Sequence, residues 1–178
     1  MSKPASEGTA LWARTAKYMP AVLSGTDGAA TGGAYAAVYL RMHPTGKGVL
    51  SLSESSSGQE ARYAQLVADE LGIPVEDIKV EHEDTDRFGT GHGFSTSPSQ
   101  NTTQAVVATA RKVRDKASQI AAAMLGSSGV SFDNGYFFTG RDRSNSVKFP
   151  DVCLKAHAGG ELPPGMDGHL NMQTVYRA

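Results

Sequence analysis

Residues 48–83 read GVLSLSESSSGQEARYAQLVADELGIPVEDIKVEHE, and three changes of pattern within them decide the fold. Gly48 to Ser53 (GVLSLS) is a β-favouring run. From Gln59 to Leu71 the apolar residues Tyr63, Leu66, Val67 and Leu71 recur at helical spacing, with Glu70 the one polar residue on their stripe. Gly72 stands where a left-handed residue ends a helix, and Ile73 to Asp77 turns the chain. In Ile78 to Glu83, Ile78 and Val80 face one way while Lys79 and Glu81 face the other, the period of a strand. Strand, helix and strand in that order predict an α/β fold.

Working outward, Ala34 to His43 (AYAAVYLRMH) is a second β-favouring run, joined to Gly48 by Pro44-Thr45-Gly46-Lys47, which supplies the proline and glycine of a hairpin turn. Downstream, Asp84 to Gln100 is a long loop rich in Gly, Ser and Thr. Thr102 to Leu125 then predicts a second main helix, with Val106, Val107, Ala110, Val113, Ala117, Ile120, Ala121, Met124 and Leu125 on one stripe. Asp133-Asn134-Gly135 between Phe132 and Tyr136 marks a small hairpin, and Pro150 to His157 a short helix capped by Gly159. Residues 161–178 contain no recognisable packed element and read as an extended tail lying on a partner. The expected division is an ill-defined segment 1–33 ending in GTDGAATGG, an α/β domain 34–160 with a mixed sheet and two main helices, and the tail 161–178.

Composition removes several classes of function. The 178 residues suit one domain. Lys plus Arg number 17 against 18 for Asp plus Glu, so no excess of positive charge draws the chain to nucleic acid or anionic lipid. Cys153 is the only cysteine, which excludes an internal disulfide and a cysteine-built zinc or iron-sulfur site. The N-terminus lacks a signal-peptide apolar run and no membrane-spanning stretch is present, so the expectation is a cytoplasmic chain without a membrane span.

Two small-residue loops, each opening a helix, are the candidates for chemistry. Ser56, Ser57, Gly58 and Gln59 precede the first helix; Ser95, Thr96, Ser97, Ser99 and Gln100 precede the second. Backbone N–H groups at a helix start, aided by hydroxyls, bind anions. The plainer reading is that the same hydroxyls only cap their own helices.

Five stretches in order resemble the molybdopterin-binding large subunit of the molybdenum hydroxylases, the family of xanthine dehydrogenase, aldehyde oxidase and aerobic carbon monoxide dehydrogenase. They are RMHPTGKG (41–48), GQEARYAQLVADELGIP (58–74), DTDRFGTG (84–91), the serine loop followed by ARKVRDKA (110–117), and ELPPGMDG (161–168). The resemblance implies part of the second half of that subunit, with the two loops contributing to a site for molybdopterin carrying molybdenum, as a cytosine dinucleotide. It implies hydroxylation of a small-molecule substrate within a hetero-oligomer, with other molybdopterin-binding segments, iron-sulfur clusters and FAD on partner subunits. It places no catalytic residue here, because the family's active-site glutamate falls outside the matched section. Where the family reads G-Q-G-H-E, this chain has Ser56-Ser57-Gly58-Gln59-Glu60, so a serine replaces the glutamine that approaches the cofactor. The G-S-R-S-T loop becomes Ser95-Thr96-Ser97-Pro98-Ser99, without its arginine.

Other features favour plainer readings. His82, Glu83, Asp84 and Asp86 could ligate a divalent metal, but a solvated strand end is the simpler account. Gly89, Gly91 and Gly93 approach a dinucleotide fingerprint, yet Phe94 occupies the last glycine position and the helix starts too late. That leaves an independent nucleotide-binding oxidoreductase as a distant alternative, behind a purely structural or assembly subunit. His92, His157 and His169 lack nucleophile partners, and Cys153, between Val152 and Leu154, reads as core.

Overall fold

Hairpin chemistry organises the main sheet. A computed structural model describes residues 35–53, 58–82, 100–140, 143–159 and 162–177. Strands β1 (Tyr35–Met42) and β2 (Gly48–Leu52) pair antiparallel with Leu40 opposite Leu50. Gly46, at φ +87°, makes the tight turn, which is closed by His43 N–H donating to Lys47 O at 2.7 Å. Alternation then sorts the side chains: Val38, Leu40, Met42, Leu50 and Leu52 are buried on the inner face, while Arg41 and Lys79 lie exposed on the other.

Helix α1 (Glu60–Leu71) crosses from β2 to β3 (Ile78–His82), which lies parallel to β2, and Gly72 ends it in the left-handed conformation. Its buried stripe is Tyr63, Ala64, Val67, Ala68 and Leu71. Glu70 belongs to the same packed region for a reason that one helix viewed alone cannot show. Arg111 Nε and Arg114 Nη1 donate to its carboxylate at 3.0 and 2.7 Å from the neighbouring helix.

That neighbour, α2 (Gln100–Met124), begins two residues before the expected Thr102 and buries Ala105, Val106, Ala110, Val113, Ala117, Ile120 and Ala121. Small residues on this stripe let α2 lie close to the sheet and to α1. Val107 and Met124, expected on the stripe, are only partly buried and exposed respectively. Helix α2 packs against β1, β7, α1 and α3, and these partners cover a narrower stripe than its apolar pattern.

A second, three-stranded sheet contains β4 (Ser131–Asp133), β5 (Tyr136–Thr139) and β6 (Asn145–Lys148) in that order. Asn134 and Gly135 both take positive φ, as a two-residue hairpin turn requires. Helix α3 (Phe149–His157) follows directly, with Pro150 in its first turn. Phe132, Phe137 and Phe149 stack in sequence, with centroids 4.8 and 6.3 Å apart, and tie the small sheet to the core.

One expectation is corrected outright. Residues 171–177, within the stretch read as having no packed element, form strand β7 (Asn171–Arg177), which pairs antiparallel with β1 and completes the order β3-β2-β1-β7. Its polar positions Asn171, Gln173 and Thr174 hide the alternation, and its stability comes from backbone hydrogen bonds to β1, which no local pattern reports. Leu170, fully buried, anchors its start.

The turn into β7 carries a pH dependence. Asn171 N–H donates to His169 Nδ1 at 3.2 Å, so that nitrogen must be unprotonated. Burial, reinforced by Lys116 and His157 and opposed by Asp167, holds His169 below the ordinary histidine range. The folded state therefore binds fewer protons here than the unfolded chain: the stabilisation is complete above about pH 6.5 and is lost as pH falls below it. Melting temperature is expected to drop between pH 7 and 5, with a shallower drop in His169→Asn. Parallel profiles for the two proteins would refute the assignment.

Candidate functional site

Because β2 and β3 are parallel and adjacent, with Leu52 in register with His82, their C-terminal ends finish side by side. The chain leaves β2 through Ser53 toward α1, and leaves β3 after His82 toward α2, so both sequence-identified loops depart from one edge of the sheet. Carboxyl ends of parallel strands in α/β sheets are where ligands are held, since loop backbone and helix starts converge there.

Both helices start toward this edge. Along α2, Lys112 Nζ donates to Gln173 O at 3.1 Å in the body of β7. One turn later Lys116 interacts electrostatically with Asp167 and His169, ahead of β7's first residue. Helix α2 therefore descends from the loop edge toward the opposite end as its numbering rises. At the start of α1, Glu60 is joined to the end of β3: His82 Nε2 lies 2.8 Å from Glu60 Oε1. A carboxylate can only accept, so Nε2 carries the hydrogen.

Of the nine candidate residues, three fall on the described structure. Gly58 is exposed at φ +71°, with open space where a side chain would project. Gln59 is the N-cap of α1, and its side chain makes no capping hydrogen bond; its Oε1 instead accepts from Arg62 Nη1 at 3.3 Å. Plain self-capping thus finds no support at Gln59. Gln100 is the first residue of α2. Ser56, Ser57, Ser95, Thr96, Ser97 and Ser99 lie outside the described residues, as do segment 1–33, His92, the Gly89–Gly93 run and Glu83, Asp84 and Asp86.

Sequence reasoning overlooked the Glu60–His82 link. The available signal was the strand-helix-strand topology, which returns the end of β3 to the side of the first turn of α1. His82 is inward-facing by alternation with Ile78 and Val80 and is only partly exposed, rather than a solvated strand end. Among the described residues no group of three or more His, Cys, Asp or Glu is placed to hold a metal.

Away from this edge, a cavity of about 850 Å³ lies at the opposite end of the sheet, lined by the hairpin turn, Arg41, Glu76, Lys79 and Asn171. Its walls include the Lys47–Asp77 ion pair at 3.1 Å, and none of the candidate residues borders it. Cys153 is buried in α3, and burial pushes its thiol up to about 12, so it stays protonated and inert near neutrality. No helix among the described residues is long and apolar enough to cross a membrane.

Comparison with known proteins shows what the chain as a whole resembles. A family model described as molybdopterin cofactor-binding domain matches residues 5–178. The carbon monoxide dehydrogenase large chain of Hydrogenophaga pseudoflava is 34% identical over 142 residues, covering 77% of this chain and 17% of that one. The large chain of Afipia carboxidovorans is 45% identical over 91 residues, covering 48% and 11%. Reconstituted CO dehydrogenase from Oligotropha carboxidovorans superposes with a TM-score of 0.68 at 26% identity, over 80% of this chain and 18% of that one. Quinoline 2-oxidoreductase from Pseudomonas putida 86 shares the fold, at a TM-score of 0.66 and 24% identity. The chain thus spans less than a fifth of the length of these relatives.

Proposed function

Since the chain belongs to the molybdopterin cofactor-binding domain family, we propose that the β2–β3 edge contributes part of a molybdopterin site in the large subunit of a molybdenum hydroxylase. The supporting observation is the convergence of two parallel strand ends and two helix starts on one edge, with Gly58 open and left-handed and Gln59 offering no side-chain cap. Such an edge fits a phosphate-bearing guest, because amide hydrogens can approach it without a side chain intervening.

In this reading Gly58 and the amides after Gln59 hold the anionic end of the cofactor. Ser56 and Ser57 donate hydroxyls from the first loop, and Ser95, Thr96, Ser97, Ser99 and Gln100 do so from the second. When bound, the cofactor supplies the molybdenum redox centre; this chain binds and orients it and contributes no proton-transfer residue. Serine in place of the family's glutamine reaches less far, and the second loop lacks the family's arginine and its charge, so these contacts are weaker than in the family pattern. The guest is a cytosine dinucleotide form. Iron-sulfur clusters and FAD sit on companion polypeptides, and the assembly works in the cytoplasm on a small molecule.

A purely structural subunit would share the fold but not the guest. The mixed sheet, with β1 antiparallel between β2 and β7, gives no support to an independent doubly wound dinucleotide domain. Molybdenum and pterin analysis of the complex purified with its natural partners tests the proposal. Near-stoichiometric content is expected, and content near zero would leave the structural role in its place.

A further inference from the structure

We propose that the open cavity at the turn end of the main sheet seats an extended segment of a companion polypeptide, which brings a carboxylate to Arg41, an apolar side chain to Val49 and a cation to Glu76. This rests on the chain being one section of a larger subunit. The cavity is built on a row that crosses the sheet. Asn171, Arg41, Val49 and Lys79 are in register on β7, β1, β2 and β3, on the face turned away from α1 and α2. All four line the space of about 850 Å³, which the hairpin turn, Glu76, Asp77 and His157 enclose on its other sides.

The charges around this row are not all answered within the chain. Lys47 pairs with Asp77 at 3.1 Å and Lys79 with Glu81 at 2.7 Å. Arg41 and Glu76, both exposed, make no ion pair among the described residues. They stand on opposite sides of the cavity, Arg41 on β1 and Glu76 just ahead of β3, with the partly buried Val49 on the strand between. Beside Arg41, Asn171 Oδ1 is buried without a hydrogen-bond partner among the described residues. A buried acceptor in that state costs stability, and an occupant that brings an N–H to this wall removes the cost.

An apolar centre between charged rims is the composition of a protein interface, and rims of opposite sign also fix the direction in which a partner lies. A small molecule is better held in an enclosed site, whereas this cavity is walled in part by the exposed turn residues His43, Thr45 and Lys47. The source of the partner follows from size. The chain corresponds to less than a fifth of the carbon monoxide dehydrogenase large chains it resembles, so a subunit on that plan has far more polypeptide to pack around this section than the section contains.

The complex purified with its natural partners provides the test. A photo-reactive benzophenone amino acid at the exposed Thr45 is expected to cross-link to a companion polypeptide, and mass spectrometry to find an acidic and a basic residue flanking an apolar one in the linked segment. Arg41→Glu is expected to weaken association with that companion roughly tenfold or more, since it removes a charge-assisted hydrogen bond and adds a repulsion. Changing the linked carboxylate to arginine should restore it. Arg143→Glu, the same charge change on the second sheet and outside the cavity, should leave association unchanged. Should Arg41→Glu not fold, Glu76→Lys is expected to weaken association in its place. Absence of a cross-link, a linked segment without a carboxylate, a small molecule recovered from the cavity, or equal weakening by Arg143→Glu overturns the inference. The two readings fail separately. A complex with the cross-link but no pterin removes the cofactor reading alone, and one with pterin but no cross-link removes this inference alone.

Discussion

Gly72→Ala is expected to destabilise the chain by about 3 kcal/mol, the largest stability effect anticipated for a single added methyl in this fold. Two costs combine. Gly72 sits at φ +62°, where a Cβ is disfavoured by about 1–2 kcal/mol. The second cost is steric: the added methyl would run into the backbone of Asn134 and Gly135, in the hairpin turn of the second sheet. Neither turn can retreat freely. Gly72 N–H caps α1 through Ala68 O, and Gly135 O receives Phe149 N–H at 2.8 Å, holding the start of α3. These two glycines are the point where the main layer and the small sheet meet backbone to backbone. Against a total stability of about 5–15 kcal/mol, the loss is large, and denaturant midpoints would register it. Gly165→Ala is the control, because Gly165 has φ +79° but no described residue within 4 Å of an added Cβ. Its cost should be limited to the conformational part, so a difference of less than about 1 kcal/mol between the two variants would show that the contact is not rigid.

Local chemistry explains which elements could be read in advance. The first hairpin, α1, β3 and the Asn134-Gly135 turn each carry their signal within a few residues, through periodicity, a turn glycine or a left-handed cap. Strand β7 does not. Gln173 and Thr174 are polar, and the strand exists because β1, whose paired residues lie 130 or more positions earlier, offers it an unpaired edge. Glu70 likewise looked out of place until α2 brought Arg111 and Arg114 beside it. At the candidate site, the loops could be recognised by composition and by family resemblance, since glycine and hydroxyl residues mark bends. That both loops leave from one edge depends on the parallel pairing of β2 with β3, a long-range fact. The Glu60–His82 link depends on it too, which is why an isolated histidine in an acidic patch read only as a strand end.

Replacing Gly58 with leucine is expected to produce the largest functional effect with little structural penalty. A Cβ at this position meets nothing within 4 Å among the described residues, so the change is expected to cost stability mainly through φ +71°, about 1 kcal/mol. A branched side chain there would nonetheless occupy the space through which the amides after Gln59 are reached. If that space receives the anionic end of molybdopterin, pterin content should fall by more than about tenfold, the consequence of losing roughly 1.4 kcal/mol or more of binding. Ser97→Leu, on the second loop, should act in the same direction, because both loops would face one guest. Melting temperature and pterin content measured on the same preparations separate the two possibilities. A folded Gly58→Leu with full pterin occupancy would mean that the first loop does not touch the cofactor, and the edge would then be a shell for a site completed by other polypeptides. Loss of pterin with the fold intact is not what a purely structural role predicts, because no described residue lies within 4 Å of the added Cβ.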